Sequence, residues 1–514
     1  MRGATLFSLL PLLSFLPGAL AGHGLPRKIY GVNLGSWLVV EPWMLPQEWL
    51  NMGGENNCDC TKCIGSEFAL TQANPATADK IFEGHWSSWF NQTDVDELVA
   101  AGINTVRIPL GYWIVEDLVD RDTEFFPRGG LRHLRRGLKA LKKAGIVVIL
   151  DHHALPGAQA VKQQFAGRCV IEPQFYTAYN YHRALVWTSV MTALSHVDPV
   201  FDNVVSIQAV NEIIMDSSKT PGYGDFQKNF VQTVRATEFL LGVAGFSTFG
   251  AVPAPHDGNF TAMIPNVGDG FFNAEVRTSL LEAFPILLKM GVFGLSRRRE
   301  QLITRCALCG SFSMRADSVR ASFMDVSWQW NNPPNPADAA LGPQAYDNHL
   351  YYVFGGVADA NEEAYMKHIC NLDRVRSDAA LGNSPLFFGE WGLPTQFSAT
   401  DAFLMKWADA QKLQYSKGAG WIFWNFKVEK SKLAGDMARE WSYLEGVRRG
   451  YFTKDPAQYH DENVCVPYLN GASSSASATA TSAASSTAAA STTAAATSTA
   501  ASSTTAAASS TASS

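Results

Sequence analysis

Nearly every short apolar run in this chain of 514 residues ends in polar or aromatic side chains, and two of the runs end in a glutamate. Val204–Asn211 leads into Glu212, and Leu386–Glu390 carries a carboxylate at its last position, before Trp391. A carboxylate is costly to desolvate, so two of them aimed into one mouth need a chemical reason. Paired acid and base work supplies one. Cleaving a glycoside with retention takes a protonated carboxyl for the leaving oxygen and an ionised one for the anomeric carbon, about 5 Å apart. The neighbouring runs hold side chains suited to help. Arg107 in Asn104–Leu110, and His349 with Tyr351 in Tyr346–Phe354, can keep a carboxylate at Glu390 ionised. Asn211 is placed to bind a sugar hydroxyl, and Trp424 in Trp421–Asn425 offers a flat face to a pyranose ring. Ile29–Leu34 runs on toward Glu41, and Ile146–Asp151 ends in Asp151-His152-His153. Taken singly, these residues have plainer readings: Arg107 as a core ion-pair partner, Trp421 as packing, Glu41 as a loop charge. Their conjunction at the ends of the runs favours a site.

The elements that must position these residues follow from the pattern around them. Short β-branched runs alternate with stretches of helical period, as in repeated βα units around a parallel sheet. Seven runs are clear, and an eighth is needed between Asn211 and Tyr346. Its best place is Ala321–Trp330, where Phe323, Asp325 and Ser327 alternate with Met324, Val326 and Trp328. This is strand five of a (β/α)8 TIM barrel, an α/β fold whose active sites gather at the C-terminal strand ends. The choice leaves a long insertion between strands four and five. Among the helices, Thr93-Asp94-Val95-Asp96 opens one that stops at Gly102, and Leu131–Ala144 is a basic amphipathic helix ending at Gly145. The stretch Ser296–Ser318 reads as no regular element.

Composition bounds the function. Hydrophobic residues make up 46% and charged residues 17%, enough for a large packed core. A net charge of -6 with no basic stripe argues against nucleic acid as a partner. The segment from Met1-Arg2 through Leu6–Leu20 to Ala19-Leu20-Ala21 has the parts of a secretory signal peptide, residues 1–21, and is too short for a membrane span. The sequons Asn91-Gln92-Thr93 and Asn259-Phe260-Thr261 fit an exported glycoprotein. Export in turn makes disulfides the first reading of the 8 cysteines, with connectivity open and zinc a lesser alternative at Cys58-x-Cys60-x-x-Cys63 and Cys306-x-x-Cys309. Residues 22–471 are expected to form the catalytic domain. Residues 472–514 contain only Ala, Ser and Thr and are expected to be a disordered tail without a core, an O-glycosylated stalk or plain linker.

Five segments carry a family resemblance: Tyr30-Gly-Val-Asn-Leu-Gly-Ser-Trp-Leu-Val-Val-Glu-Pro-Trp43, Gly102-Ile-Asn-Thr-Val-Arg-Ile-Pro109, Asp151-His-His-Ala-Leu-Pro-Gly-Ala-Gln159, Phe387-Phe-Gly-Glu-Trp-Gly392 and Gly420-Trp-Ile-Phe-Trp-Asn-Phe-Lys427. Within residues 27–467 the chain resembles glycoside hydrolase family five, in its fungal exo-β-1,3-glucanase-like branch. The resemblance implies Glu212 as acid/base and Glu390 as nucleophile, with Arg107, His349 and Tyr351 as the nucleophile's partners. It also implies Glu41, His153, Asn211 and Trp424 as substrate-binding residues, no metal or organic cofactor, and a bridge between Cys370 and Cys465. The function expected is that of a secreted or wall-associated monomeric glucan 1,3-β-glucosidase, its partner a β-glucan polysaccharide or oligosaccharide. The alternatives are a β-1,6-glucanase on the same scaffold and a glucan-binding wall protein weakened in catalysis. The second draws on the long tail and on one departure, Ile213 where the family usually has proline after the acid/base. A cysteine-bearing insertion at 53–66 beside the mouth puts linkage and exo action in question.

Overall fold

The computed structural model of the chain describes residues 24–470 apart from 242, 244–272, 293–317 and 329–332. Eight parallel strands close into a barrel in chain order. They are β1 Ile29–Asn33, β2 Thr105–Gly111, β3 Val147–Ala154, β4 Val204–Gln208, β5 Arg320–Met324, β6 Gln344–His349, β7 Leu386–Glu390 and β8 Gly420–Phe423, with β8 paired back onto β1. The strands read as apolar runs because helices cover the outside and side chains fill the inside, so both faces are dry. The lower interior is plugged by Ile29, Ile149, Ala345, Phe387 and Ile422. Above that plug the interior turns polar and stays buried, with Asn33, Arg107, Asp151, Gln208 and Asp347. Charge buried that deeply must be paired, and this pairing builds the site.

The fifth strand lies where the alternation placed it, though it begins at Arg320 and ends at Met324, where Val326–Trp328 turn into a 3-10 helix. Its start is fixed by a buried ion pair on the helix Tyr223–Leu240. Arg235 donates to the carbonyls of Val319 at 3.0 Å and Pro343 at 2.7 Å and pairs with Glu238 at 2.6 Å, while Glu238 accepts from the Val319 N–H at 2.7 Å. The long β4–β5 connection includes that helix and Ala274–Lys289, which share a small core of Ala236, Leu240, Val276 and Leu280. Most of Ser296–Ser318 lies outside the described residues, as do Trp330, the sequon at Asn259, Cys306 and Cys309, the leader at 1–21 and the tail at 472–514.

Several boundaries differ from the sequence reading. β4 stops at Gln208, so Asn211 and Glu212 stand on the turn beyond it. β3 runs three residues further than expected, through Ala154, which takes both histidines into the strand. β6 begins two residues earlier than expected, at Gln344, and ends at His349, leaving Tyr351 on the following loop. The helix expected from Thr93 is Gln92–Ala100, capped instead by Asn91, whose side chain accepts from the Thr93 N–H in a capping box with Asp94. The basic helix runs Gly130–Lys143. Among the described residues three disulfides close, Cys58–Cys63, Cys60–Cys169 and Cys370–Cys465, the last as the resemblance implied. No described helix is long and apolar enough to cross a membrane.

Candidate active site

Strand alternation decides which polar side chains enter the barrel. Arg107, Asp151, Gln208 and Asp347 face inward at similar heights and organise around one guanidinium. Arg107 is fully buried and donates to Asn33 Oδ1 at 3.0 Å, Gln208 Oε1 at 2.8 Å, Asn211 Oδ1 at 2.8 Å and Glu390 Oε1 at 2.9 Å. Asp151 and Asp347 flank it at 3.1 and 3.6 Å. Burial would raise Asp151, but Arg107 and His153 hold its carboxyl below the usual range. Asp347 reaches the Gly389 N–H at 2.6 Å, an approach that needs glycine because a Cβ there would collide with the carboxylate. One buried cation thus fixes the ends of five strands.

Glu390 ends β7 in the centre of this network. Its Oε1 takes the Arg107 hydrogen bond and its Oε2 accepts from the Tyr351 hydroxyl at 3.0 Å. Burial raises its carboxyl above the ordinary range; His349 and Arg107 oppose that shift, and the Glu212 charge adds to it. His349 stands between the glutamates, Nδ1 lying 2.8 Å from Glu212 Oε1 and 3.5 Å from Glu390 Oε2, while Nε2 faces Asp347 at 3.4 Å. Burial alone would lower this imidazole, yet the charges of Glu390 and Asp347, with hydrogen bonds to Asp347 and Glu212, push it up to about 10. It is therefore a cation at neutral pH. One oxygen of Glu212, one of Glu390 and a ring nitrogen of His349 all lie within 4.8 Å of one another. Such a trio has the composition of a metal site, while the two oxygens of Glu390 already accept from Arg107 and Tyr351.

Glu212 reaches this position through a left-handed backbone, φ 43°, which costs a non-glycine residue stability and is held by its surroundings. Gln159 donates to the Asn211 carbonyl at 3.0 Å, the Asn211 N–H donates to His152 O at 3.2 Å, and the Tyr176 hydroxyl accepts from the Ile214 N–H at 2.9 Å. Ile213, where proline was expected from the family, is buried in this turn.

A second polar pair faces the same space. Glu41 Oε2 accepts from Trp43 Nε1 at 2.9 Å, while its Oε1 lies 3.9 Å from His153 Nε2, and neither of these two atoms has a hydrogen-bond partner among the described residues. Burial pushes Glu41 up to about 7. Two unpartnered buried polar atoms facing one gap suit a ligand hydroxyl between them. His153 is held by Asp151 at 2.5 Å and lies parallel to Trp424, ring centroids 5.5 Å apart. Its neighbour His152 points the other way, stacked on Trp187 at 3.9 Å, where burial lowers it to about 3 and keeps it neutral. Both faces of β3 therefore use a histidine, and only one belongs to the site.

These groups line a cavity of about 800 Å³ that gathers Glu41, His153, Asn211, Glu212, His349, Tyr351, Glu390 and Trp424. Arg107 lies beneath it, so every expected site residue comes to one place. The sequence reading passed over Asp347 and Gln208, whose only signal was a polar residue inside an apolar run, and the rim aromatics Trp43, Phe165, Phe354 and Trp441. Those four stand on the connections beyond the strand ends, three in short helical turns and Phe354 in a loop, where strand periodicity is silent.

A closed barrel with two carboxyls this close across its mouth defines a glycoside hydrolase of the retaining type. The model of the family described as Cellulase (glycosyl hydrolase family 5) matches residues 71–430, and the chain belongs to that family. It is 29% identical over 453 residues to glucan endo-1,6-beta-glucosidase B of Emericella nidulans, covering 85% of this chain and 88% of the relative. It is 33% identical over 412 residues to probable glucan 1,3-beta-glucosidase A of Aspergillus niger, covering 78% and 83%. The crystal structure of rutinosidase from Aspergillus niger shares the fold, with a TM-score of 0.53, 16% identity and coverage of 83% and 98%.

Proposed function

We propose that the chain is a secreted hydrolase of β-glucan in which Glu390 is the nucleophile and Glu212 the acid/base. The observation that carries this reading is the Glu212–Glu390 spacing, combined with the donors Arg107 and Tyr351 on Glu390. In the first step Glu390 attacks the anomeric carbon while Glu212 gives its proton to the departing oxygen, leaving a glycosyl ester on Glu390. Glu212 then takes a proton from water, the water attacks the same carbon, and the ester bond breaks to release Glu390. The transition state carries positive charge on the sugar, and the carboxylate that Arg107 and Tyr351 keep in place stabilises it. Asn211 commits its side-chain oxygen to Arg107, which leaves its amide as a donor to the reacting sugar. Trp424 gives that sugar a flat floor, and Glu41 with His153 takes a hydroxyl at the far side. A binding protein without catalysis has no use for a carboxylate pair held this closely, which speaks against that alternative.

The expectation from sequence put β-1,3 linkages first. Similarity over 85% of the chain to an endo-1,6-beta-glucosidase supports the other scaffold reading, and we take β-1,6-glucan as the first substrate. A β-1,3-glucan exo-hydrolase is the second reading, favoured by the similarity to the 1,3-beta-glucosidase A. Incubation with pustulan and laminarin, following reducing sugar and product length, separates the two. Oligomers of several lengths from pustulan support endo-1,6 action, glucose from laminarin supports the second reading, and no sugar from either refutes a β-glucan substrate.

A further inference from the structure

The insertion at 53–66 does more than lengthen the loop after β1. Cys58–Cys63 closes it on itself, and Cys60–Cys169 ties it to the loop between β3 and the helix Ala178–Val197. That second loop carries Gln163 and Phe165, both on the wall of the cavity, with the Phe165 ring 5.7 Å from His153. It has little regular structure of its own: an isolated bridge between Val161 and Val170 and a single 3-10 turn at Gln164–Ala166. Its base is held from the barrel side, where Gln159 donates to the Asn211 and His153 carbonyls and the Gln174 N–H donates to Gly157 O, whereas its tip around Gln164–Arg168 takes supports from the insertion and the helix Glu67–Ala73 that follows. Gln164 Nε2 donates to Gly65 O at 3.1 Å, the Phe68 N–H donates to Gly167 O at 3.0 Å, and the Arg168 guanidinium lies 4.0 Å from the centre of the Phe68 ring. Lys162 and Asp59 add an exposed ion pair, which contributes little by itself. The same helix reaches the opposite side, where Glu67 accepts from the Val40 N–H at 3.2 Å, next to Glu41.

A loop of this length without regular structure samples many backbone states, and a covalent tie close to its cavity-lining residues removes most of them. We propose that the Cys60–Cys169 bridge is a positioning device that holds Gln163 and Phe165 against the glucan chain beyond the reacting sugar. Its role is to set affinity for the polymer, leaving the chemistry at Glu212 and Glu390 untouched. This rests on the β-glucan reading. The two are separable because β-glucosyl fluoride, with a one-atom leaving group, occupies the reacting subsite and nothing beyond it.

The test compares the full-length protein with Cys60→Ser/Cys169→Ser, Phe165→Ala and the triple variant, on β-glucosyl fluoride and on β-glucan oligosaccharides. Release of fluoride by the unaltered enzyme, without hydrolysis of the oligosaccharides, sinks the β-glucan reading and this inference with it. Otherwise the bridge variant should raise KM for the oligosaccharides roughly tenfold, as misplaced binding groups do, with kcat/KM for the fluoride unchanged. Phe165→Ala should raise KM for the oligosaccharides by a similar factor, and the triple variant should add little to that rise, because bridge and ring act as one unit. Equal losses on both substrates, a change in melting temperature alone, or additive effects of bridge and ring would overturn the inference. If the bridge variant does not fold, Gln164→Ala removes a weaker tie on the same loop. It should shift KM for oligosaccharides alone, and a shift shared by the fluoride counts against the proposal.

Discussion

At the residue scale the site is a network of buried charge. Arg107 faces Glu390, Asp151 and Asp347, and a cationic His349 faces Asp347 and the carboxyl of Glu212, so each of these carboxyls has a donor and neither cation is stranded. Replacing Glu390 by Gln should lower turnover of every substrate by on the order of 10⁴, because no other carboxylate reaches the anomeric carbon. Glu212→Ala should instead spare the first step on aryl glucosides whose leaving group needs no proton, and azide should restore turnover by replacing activated water. Equal loss on all leaving groups, with no azide effect, contradicts these roles. His349 makes a second prediction. Its pKa is about 10 in the folded chain and near 6.5 unfolded, so its charge stabilises the fold fully below pH 6.5, and that contribution is lost as pH rises through 10. The stability gap between the unaltered protein and His349→Gln, measured by denaturant unfolding, should therefore narrow between pH 6 and 10. A gap that is flat or widens over that window contradicts the assignment of a buried imidazolium.

At the element scale, closure of the barrel leaves the last segment to be tied down separately. Beyond β8 the chain passes through Ala438–Trp441 and Tyr443–Arg449 to Cys465, whose sulfur bonds to Cys370 at the end of the helix Glu362–Cys370. The bond closes a separation of 95 residues, and both cysteines are buried. Cys370→Ala/Cys465→Ala should destabilise the protein by about 3 kcal/mol, read from denaturant unfolding, while kcat stays the same. A loss below about 1 kcal/mol, the net worth of an ordinary hydrogen bond, would show that packing of the terminal segment suffices without the bridge.

At the scale of the whole molecule, the described barrel ends at residue 470, and the Ala/Ser/Thr composition from 472 onward offers no large apolar side chain to bury against it. Deleting Ala472–Ser514 should leave the melting temperature and the specific activity on a small soluble glycoside nearly unchanged. A drop in either would place the folded boundary beyond 471. The insertion at 53–66 stands opposite in kind, since it is covalently joined to the wall of the cavity.

The barrel was legible in the sequence because strands dry on both faces must be apolar runs, and an inward-facing polar residue at the end of such a run has only the mouth to enter. Glu212, Glu390, Arg107 and Trp424 were readable on that ground, and so was the fifth strand, from the alternation around Phe323 and Met324. The sequence by itself determined the fold class, the two carboxylates and most of their partners. Other matters depended on distance between segments remote in the chain. Apart from the family resemblance, nothing in the apolar-run pattern at Asp151-His152-His153 says which histidine faces the cavity, since that follows from the strand extending to Ala154 and fixing the alternation. Asp347 looked like any polar residue in a strand until Arg107, Gln208 and Gly389 closed around it. The pairing of Cys60 with Cys169 and the facing of Glu41 with His153 were invisible for the same reason. Composition and period are local properties, whereas a salt bridge, a disulfide or a shared hydroxyl is decided only when the closed barrel brings its ends together.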